Sequence, residues 1–183
     1  MLVLFSGPSG AGKNTVIGGL LSKHPDTYAF VPSVTTRKMR PGEREGAPYH
    51  YISEEEFLRR LDAGEFYEYE RIHGNLYGMS KCILDGMLGG GKILLKDIDV
   101  LGTESMLAAM KDRRPLTIFL TAGGRGELEQ RLHARGEKDI ELRRNRYDKE
   151  MEFAGKYDHV IVNDVLERAV AEAHQKITES VSR

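Results

Sequence analysis

Residues 2–15 read LVLFSGPSGAGKNT: an apolar run, a glycine-rich turn, then a segment with helical spacing. No other stretch limits the fold as strongly. The pattern G-x-x-x-x-G-K-[ST] fits Gly7, Gly12 and Lys13, then meets Asn14 where a hydroxyl is expected; Thr15 follows. The motif needs a strand before it and a helix after it. Residues 2–6 predict a short buried strand, and Lys13 to about Ser22 a helix with Val16, Ile17, Leu20 and Leu21 on one face. Gly7, Gly10 and Gly12 permit backbone conformations that a side chain would block. With Pro8, Ser9 and Ala11 filling the turn, successive N–H groups converge on phosphate oxygens, and the helix adds its positive end. Lys13 reaches the outer phosphates. Thr15 points away by about a third of a turn, so Asn14 is left to hold a hard cation, or one of its waters, through its carbonyl. The bland alternative is a Gly/Ser turn with a surface lysine.

Strand-like and helical segments alternate through the rest of the chain. Strands are expected at 28–36, 66–72, 92–96, 116–120 and 159–163, and helices at 103–111 and 126–133. A Gly/Pro-rich loop covers 37–48. SEEEFLRRL opens with a capping box, Ser53 and Glu56, followed by Phe57, Leu58 and Leu61. HGN at 73–75 is a turn, and Leu166, Val170, Ala173, Ile177 and Val181 recur at helical spacing in the tail. Such alternation predicts an α/β fold with a parallel sheet covered on both faces. Residues 28–78 break the rhythm and read as an inserted antiparallel lobe.

Composition narrows the class. The chain has 183 residues, enough for one domain with a real core, and is 40% hydrophobic and 30% charged, as a soluble globular protein is. No apolar run nears the roughly 18 residues of a membrane span. MLVLF is too short for a signal peptide, and a lone cysteine, Cys82, fits a reducing cytoplasm. The six histidines and Cys82 lack metal-ligand spacing, and a net charge of -1 argues against a nucleic-acid binder.

Two further stretches carry chemistry. In KILLKDID, Asp97 follows an apolar strand and suits a magnesium-holding acid, or else a solvated strand end; Lys96 before it is expected at the rim, facing solvent or phosphate. In SVTTRKMRPGEREGAPYHY, Arg37, Lys38, Arg40 and Arg44 precede Tyr49 and Tyr51. Arginine forks match phosphate oxygens, although composition alone reads a solvated basic loop.

VTTRKMRPGEREGAPYHY, EFYEYERIHGNLYG, LLKDID and VIVND, in that order and spacing, resemble guanylate kinase over residues 3 to about 170. The resemblance implies a P-loop kinase core with a parallel sheet flanked by helices (1–32, 80–125 and 155–183), a small mixed or antiparallel GMP-binding lobe (33–79) and a helical lid (126–154). It implies magnesium-dependent transfer of the ATP γ-phosphoryl group to GMP, and to dGMP, in the cytoplasm. Arg37, Arg40, Tyr49 and Tyr77 correspond to ligands of the GMP phosphate; Ser33, Glu68 and Asp99 to contacts with guanine. Glu68 makes chemical sense: one carboxylate accepts guanine N1–H and N2–H together, whereas adenine leaves it unpaired. Otherwise it is an exposed strand carboxylate.

RLHARGEKDIELRRNR places five arginines within residues 131–146. Read alone it is a helical surface stripe. By resemblance Arg131, Arg135 and Arg146 close over the ATP phosphates, with Gly136 and GEKD as a hinge, and Asn163 and Asp164 fall near the adenine pocket. No general base is needed, because the acceptor phosphate is already an anion. Besides Asn14, three residues depart from the family: Met79 stands where a hydroxyl touches the base, Leu101 where Gln is usual, and Lys96 is charged on a buried strand. Met79 implies weaker GMP binding, because Ser80 replaces the hydroxyl only if the backbone shifts and a one-residue offset otherwise turns it away. The departures keep open a related kinase with another phosphorylated acceptor. A non-catalytic binding module fits less well, since Lys13 and the lid arginines remain.

Overall fold

The computed structural model describes residues 1–72, 74–124, 126, 127, 130, 133 and 147–181. β1 (Leu2–Ser6) leads through α1 (Lys13–Lys23) to β2 (Tyr28–Phe30). The chain then builds β3 (Ser33–Thr35), β4 (Arg44–Glu45), β5 (Pro48–Tyr51), α2 (Glu54–Asp62), β6 (Phe66–Ile72) and β7 (Asn75–Ser80). α3 (Lys81–Leu88) returns it to β8 (Ile93–Asp97), and α4 (Val100–Ala109), β9 (Leu116–Thr121), β10 (His159–Val162) and α5 (Leu166–Val181) follow.

Two sheets result. The first has the order β10-β9-β1-β8-β2 and is parallel throughout. β1 lies at its centre, and successive residues face opposite layers. Val3 and Phe5 join Val16, Ile17 and Leu20 of α1 and Val170, Ala173 and Ile177 of α5. Leu2 and Leu4 join Leu84 of α3, Met106 of α4 and Met79 of β7. Burial on both faces is why β1 is apolar at every position rather than at alternate ones. The chain runs outward from β1 to β2 on one side and crosses to β9 on the other, so the carboxyl ends of β1 and β8 flank a topological switch point, where α/β sheets bind ligands.

The second sheet, β4-β5-β3-β7-β6, is mixed: β4, β5 and β3 run parallel, and β7 pairs antiparallel with both β3 and β6. α2 covers it through Phe57, whose ring stacks on Phe66 at 4.4 Å. Gly78 makes this approach possible, because a Cβ there would lie 2.8 Å from Phe66 and 3.0 Å from Phe57.

Several expectations change. The single strand expected at 28–36 is two strands in different sheets. The Val31 N–H still bonds the Leu95 carbonyl, but Pro32 has no N–H to continue the ladder, and the chain turns into the second sheet. The expected loop at 37–48 contains β4 and the start of β5, whose parallel pairing makes the inserted region mixed, one of the two forms expected for it. Helix α3 was not legible as a helix in the pattern at all. Leu58 and Val181 point outward, 42% and 55% exposed. The capping box forms by half: Ser53 Oγ accepts from the Glu56 N–H, while the Glu56 carboxylate turns to Arg59 and Arg60. The helix expected at 126–133 lies largely outside the described residues.

Candidate active site

The loop after β1 is shaped by backbone freedom. Gly7, Gly10 and Gly12 have φ of 128°, 92° and 88°, all in the region that favours glycine. At Gly7 a Cβ would also run into the Leu120 carbonyl of the neighbouring strand. Gly12 caps α1 with its carbonyl, which accepts from the Thr15 and Val16 N–H groups, and as a glycine it offers no side chain of its own to cap the helix start. Such an uncapped start leaves N–H groups for an anion. The Lys13 ammonium folds back on the loop, donating to the Gly7 carbonyl at 2.6 Å and to that of Pro8 at 3.3 Å. Asn163, buried at the end of β10, donates its amide N–H to the Ala11 carbonyl at 2.8 Å, and its own N–H bonds Thr121. It therefore braces the loop. Its neighbour Asp164 pairs with Arg168.

β8 runs alongside β1, with Asp97 in register with Phe5, so its carboxylate emerges beside the loop. Asp97, Lys13 and Asn14 line one cavity of about 900 Å³; Thr15 is exposed and outside that lining. Asp99 lines the same cavity while capping α4, its Oδ1 accepting from the Gly102 N–H at 2.6 Å. Among the described residues no group of three or more His, Cys, Asp or Glu is poised to hold a metal. An Asp carboxylate and an Asn carbonyl oxygen are nonetheless hard donors, and such a pair suits magnesium, which keeps several waters and takes other ligands from substrate phosphates.

The second sheet closes the cavity opposite the loop with Ser33, Tyr49, Tyr77, Glu68 and Glu70. The rings of Tyr49 and Tyr77 meet edge-on at 5.7 Å, and burial pushes the Tyr49 hydroxyl up to about 12. Burial likewise pushes the Glu68 carboxyl up to about 7; the Lys96 charge opposes this, Asp99 adds to it, and the Met79 N–H opposes it.

Lys96 is not at the rim. It is 3% exposed, and Nζ donates to the Val31 carbonyl at 3.1 Å and to Ser33 Oγ at 2.5 Å. Burial lowers its pKa, against the charges of Asp97 and Glu68. The reason is topological: β8 is an interior strand, so a side chain four residues along it meets the second sheet, not solvent.

Arg37 and Arg40 do not line the cavity. Glu43 clamps the Arg37 guanidinium through both oxygens, at 2.8 and 3.0 Å, and also accepts from the Arg40 N–H and the Tyr51 hydroxyl. That bonding raises the Arg37 pKa and holds Glu43 down at about 2. The clamp leaves Arg37 stacked 5.2 Å from the Tyr49 ring centroid, close to the cavity wall. Glu43 thus fixes the Arg37 guanidinium in place; the motif RPGE contains it, but the charge of a basic loop does not single it out. Met79 is fully buried in the apolar layer with Leu84 and Met106. Leu101 is 60% exposed. Arg131, Arg135 and Arg146, with Arg143 and Arg144, lie outside the described residues.

A glycine-rich loop and lysine after the central strand of a parallel sheet, with an acid at the end of the next strand, define the class: an α/β P-loop kinase. The guanylate kinase family model matches residues 1–180. A guanylate kinase of Idiomarina loihiensis is 40% identical over 174 residues, covering 93% of this chain and 82% of the relative. One from Campylobacter jejuni is 39% identical, covering 95% and 89%. A crystal structure of guanylate kinase from Anaplasma phagocytophilum superposes with a TM-score of 0.75 at 28% identity, over 98% of this chain and 85% of that one. Shikimate kinase from Aquifex aeolicus shares the fold, with a TM-score of 0.53 at 17% identity. The chain belongs to the guanylate kinase family and is a nucleotide-binding kinase.

Proposed function

We propose that this enzyme transfers the γ-phosphoryl group of ATP to GMP, and to dGMP, with magnesium, giving ADP and GDP or dGDP in the cytoplasm. One observation carries the reading: the phosphate loop and the acceptor-side groups Ser33, Glu68 and Asp99 line the same cavity. In this reading the N–H groups of residues 7–15 cradle the ATP phosphates, and Lys13 leaves its loop carbonyls to meet the outer ones. Asp97 and Asn14 would hold magnesium, largely through water, and the metal would supply charge neutralisation at the phosphates. Arg37, Arg40, Tyr49 and Tyr77 hold the acceptor phosphate. Glu68 reads the base, beside Ser33 and Asp99. Arg131, Arg135 and Arg146 cover the transferring group, a role resting on the family resemblance.

The acceptor needs no base to activate it, because its phosphate oxygen is already anionic. Catalysis is then positioning and electrostatic stabilisation. No described helix is long and apolar enough to cross a membrane. A coupled ADP-release assay tests it with GMP, dGMP, AMP, IMP and ribose phosphates, with and without chelator. GMP and dGMP turn over only with magnesium, and AMP poorly. Turnover of a ribose phosphate in place of GMP would assign another acceptor.

A further inference from the structure

Lys96 is a buried ammonium in the floor of the cavity with no task in the reaction as set out above. A charged amine is costly to bury unless its donors are satisfied. A methionine or leucine would cover the same strand without that cost. An ammonium has three N–H donors. Two go to the Val31 carbonyl and Ser33 Oγ, which fix the head in place, with Nζ 5.1 Å from the Phe30 ring centroid. Among the described residues no acceptor takes the third. The ammonium and the Glu68 carboxylate are close enough for each to act on the other's charge.

Guanine presents three atoms in a row on one edge: the O6 acceptor, the N1–H donor and the N2–H donor. A carboxylate that takes the two donors leaves O6 beside it in need of a donor. Met79 on the neighbouring strand is apolar and fully buried. We propose that Lys96 is a specificity-determining residue that donates a hydrogen bond to guanine O6 while Glu68 accepts N1–H and N2–H. The assignment rests on the reading that GMP is the acceptor. Adenine would then meet two mismatches: its 6-amino group faces an N–H donor, and its N1 lone pair faces a carboxylate. Hypoxanthine keeps O6 and N1–H, so Lys96 does not discriminate against IMP and only Glu68 does.

The test compares GMP with 6-thio-GMP, whose sulfur is a weak acceptor, in the wild type, Lys96→Met and Lys96→Gln. The wild type prefers GMP. Lys96→Met loses about ten- to a hundredfold in kcat/KM for GMP, the range of a hydrogen bond to a charged group. It loses far less on 6-thio-GMP, so the preference collapses, while KM for ATP is unmoved. Lys96→Gln, which keeps an N–H donor, recovers part of the preference. Equal loss on both substrates, or unchanged GMP turnover in a variant that melts like wild type, overturns the proposal. So does a wild type indifferent to the sulfur, which needs no variant to fold. A wild type that turns over neither guanine nucleotide overturns the acceptor reading instead.

Discussion

Glu68 is half-buried in the cavity wall, and burial pushes its carboxyl up from 4.5 to about 7. Two consequences follow with opposite signs. Between those values the folded chain keeps a proton that the unfolded chain has released, so this group's contribution to stability declines as pH rises through the window. Guanine recognition needs the ionised form, because a protonated carboxyl turns a donor toward a donor. KM for GMP therefore rises as pH falls below 7, by about tenfold per unit once the carboxyl is mostly protonated. The acceptor phosphate titrates in the same region, at roughly 6. Glu68→Gln isolates that part, so steady-state KM from pH 5.5 to 8.5 should be steep in the wild type and shallower in the variant. Parallel profiles would remove Glu68 from base reading. Glu43 acts one step further out. Glu43→Ala releases the Arg37 guanidinium from its two-point clamp, and KM for GMP should rise about tenfold while KM for ATP holds, the cost of a misplaced phosphate ligand.

Elements hold these residues at fixed distances, and their failure has a different signature. Asn163→Ala strips the Ala11 carbonyl of its buried donor and cuts the brace between β10 and the phosphate loop. It should cost about 1–3 kcal/mol in urea unfolding and raise KM for ATP, not for GMP. Gly78→Ala forces a methyl group between Phe57 and Phe66 and should cost about 1–3 kcal/mol, weakening the acceptor side first. An unchanged unfolding midpoint in either variant would contradict the packing described. The same elements show what the sequence makes legible. β1, the loop and α1 can be read because glycine spacing and apolar periodicity agree there. The break at Val31 and Pro32 was hidden inside an apolar run, with only the proline to mark it. α3 is short and follows directly on β7 without a turn residue, so no periodic boundary announces it. The burial of Lys96 depends on which sheet crosses above β8, a fact of topology rather than of neighbouring residues. Glu43 was visible in the motif but not as a clamp, since pairing across six residues needs the loop's own fold.

For the whole molecule, two sheets whose apolar layers meet at Met79 face one cavity, the phosphate loop on one side and Ser33, Glu68 and Tyr77 on the other. Substrates that bridge the sheets should stabilise both. A ligand present at about a hundred times its Kd adds about 2.7 kcal/mol, so GMP and a non-hydrolysable ATP analogue should each raise the melting temperature. Chelator should cancel the ATP analogue's part and leave that of GMP. The most direct test of the account is the ratio of kcat/KM for GMP to that for AMP, measured with ATP and magnesium in the wild type and in Glu68→Ala. The account predicts a large ratio in the wild type that falls by about a hundredfold or more in the variant, with KM for ATP unchanged. A ratio near one in the wild type, or one that survives the loss of Glu68, would contradict it.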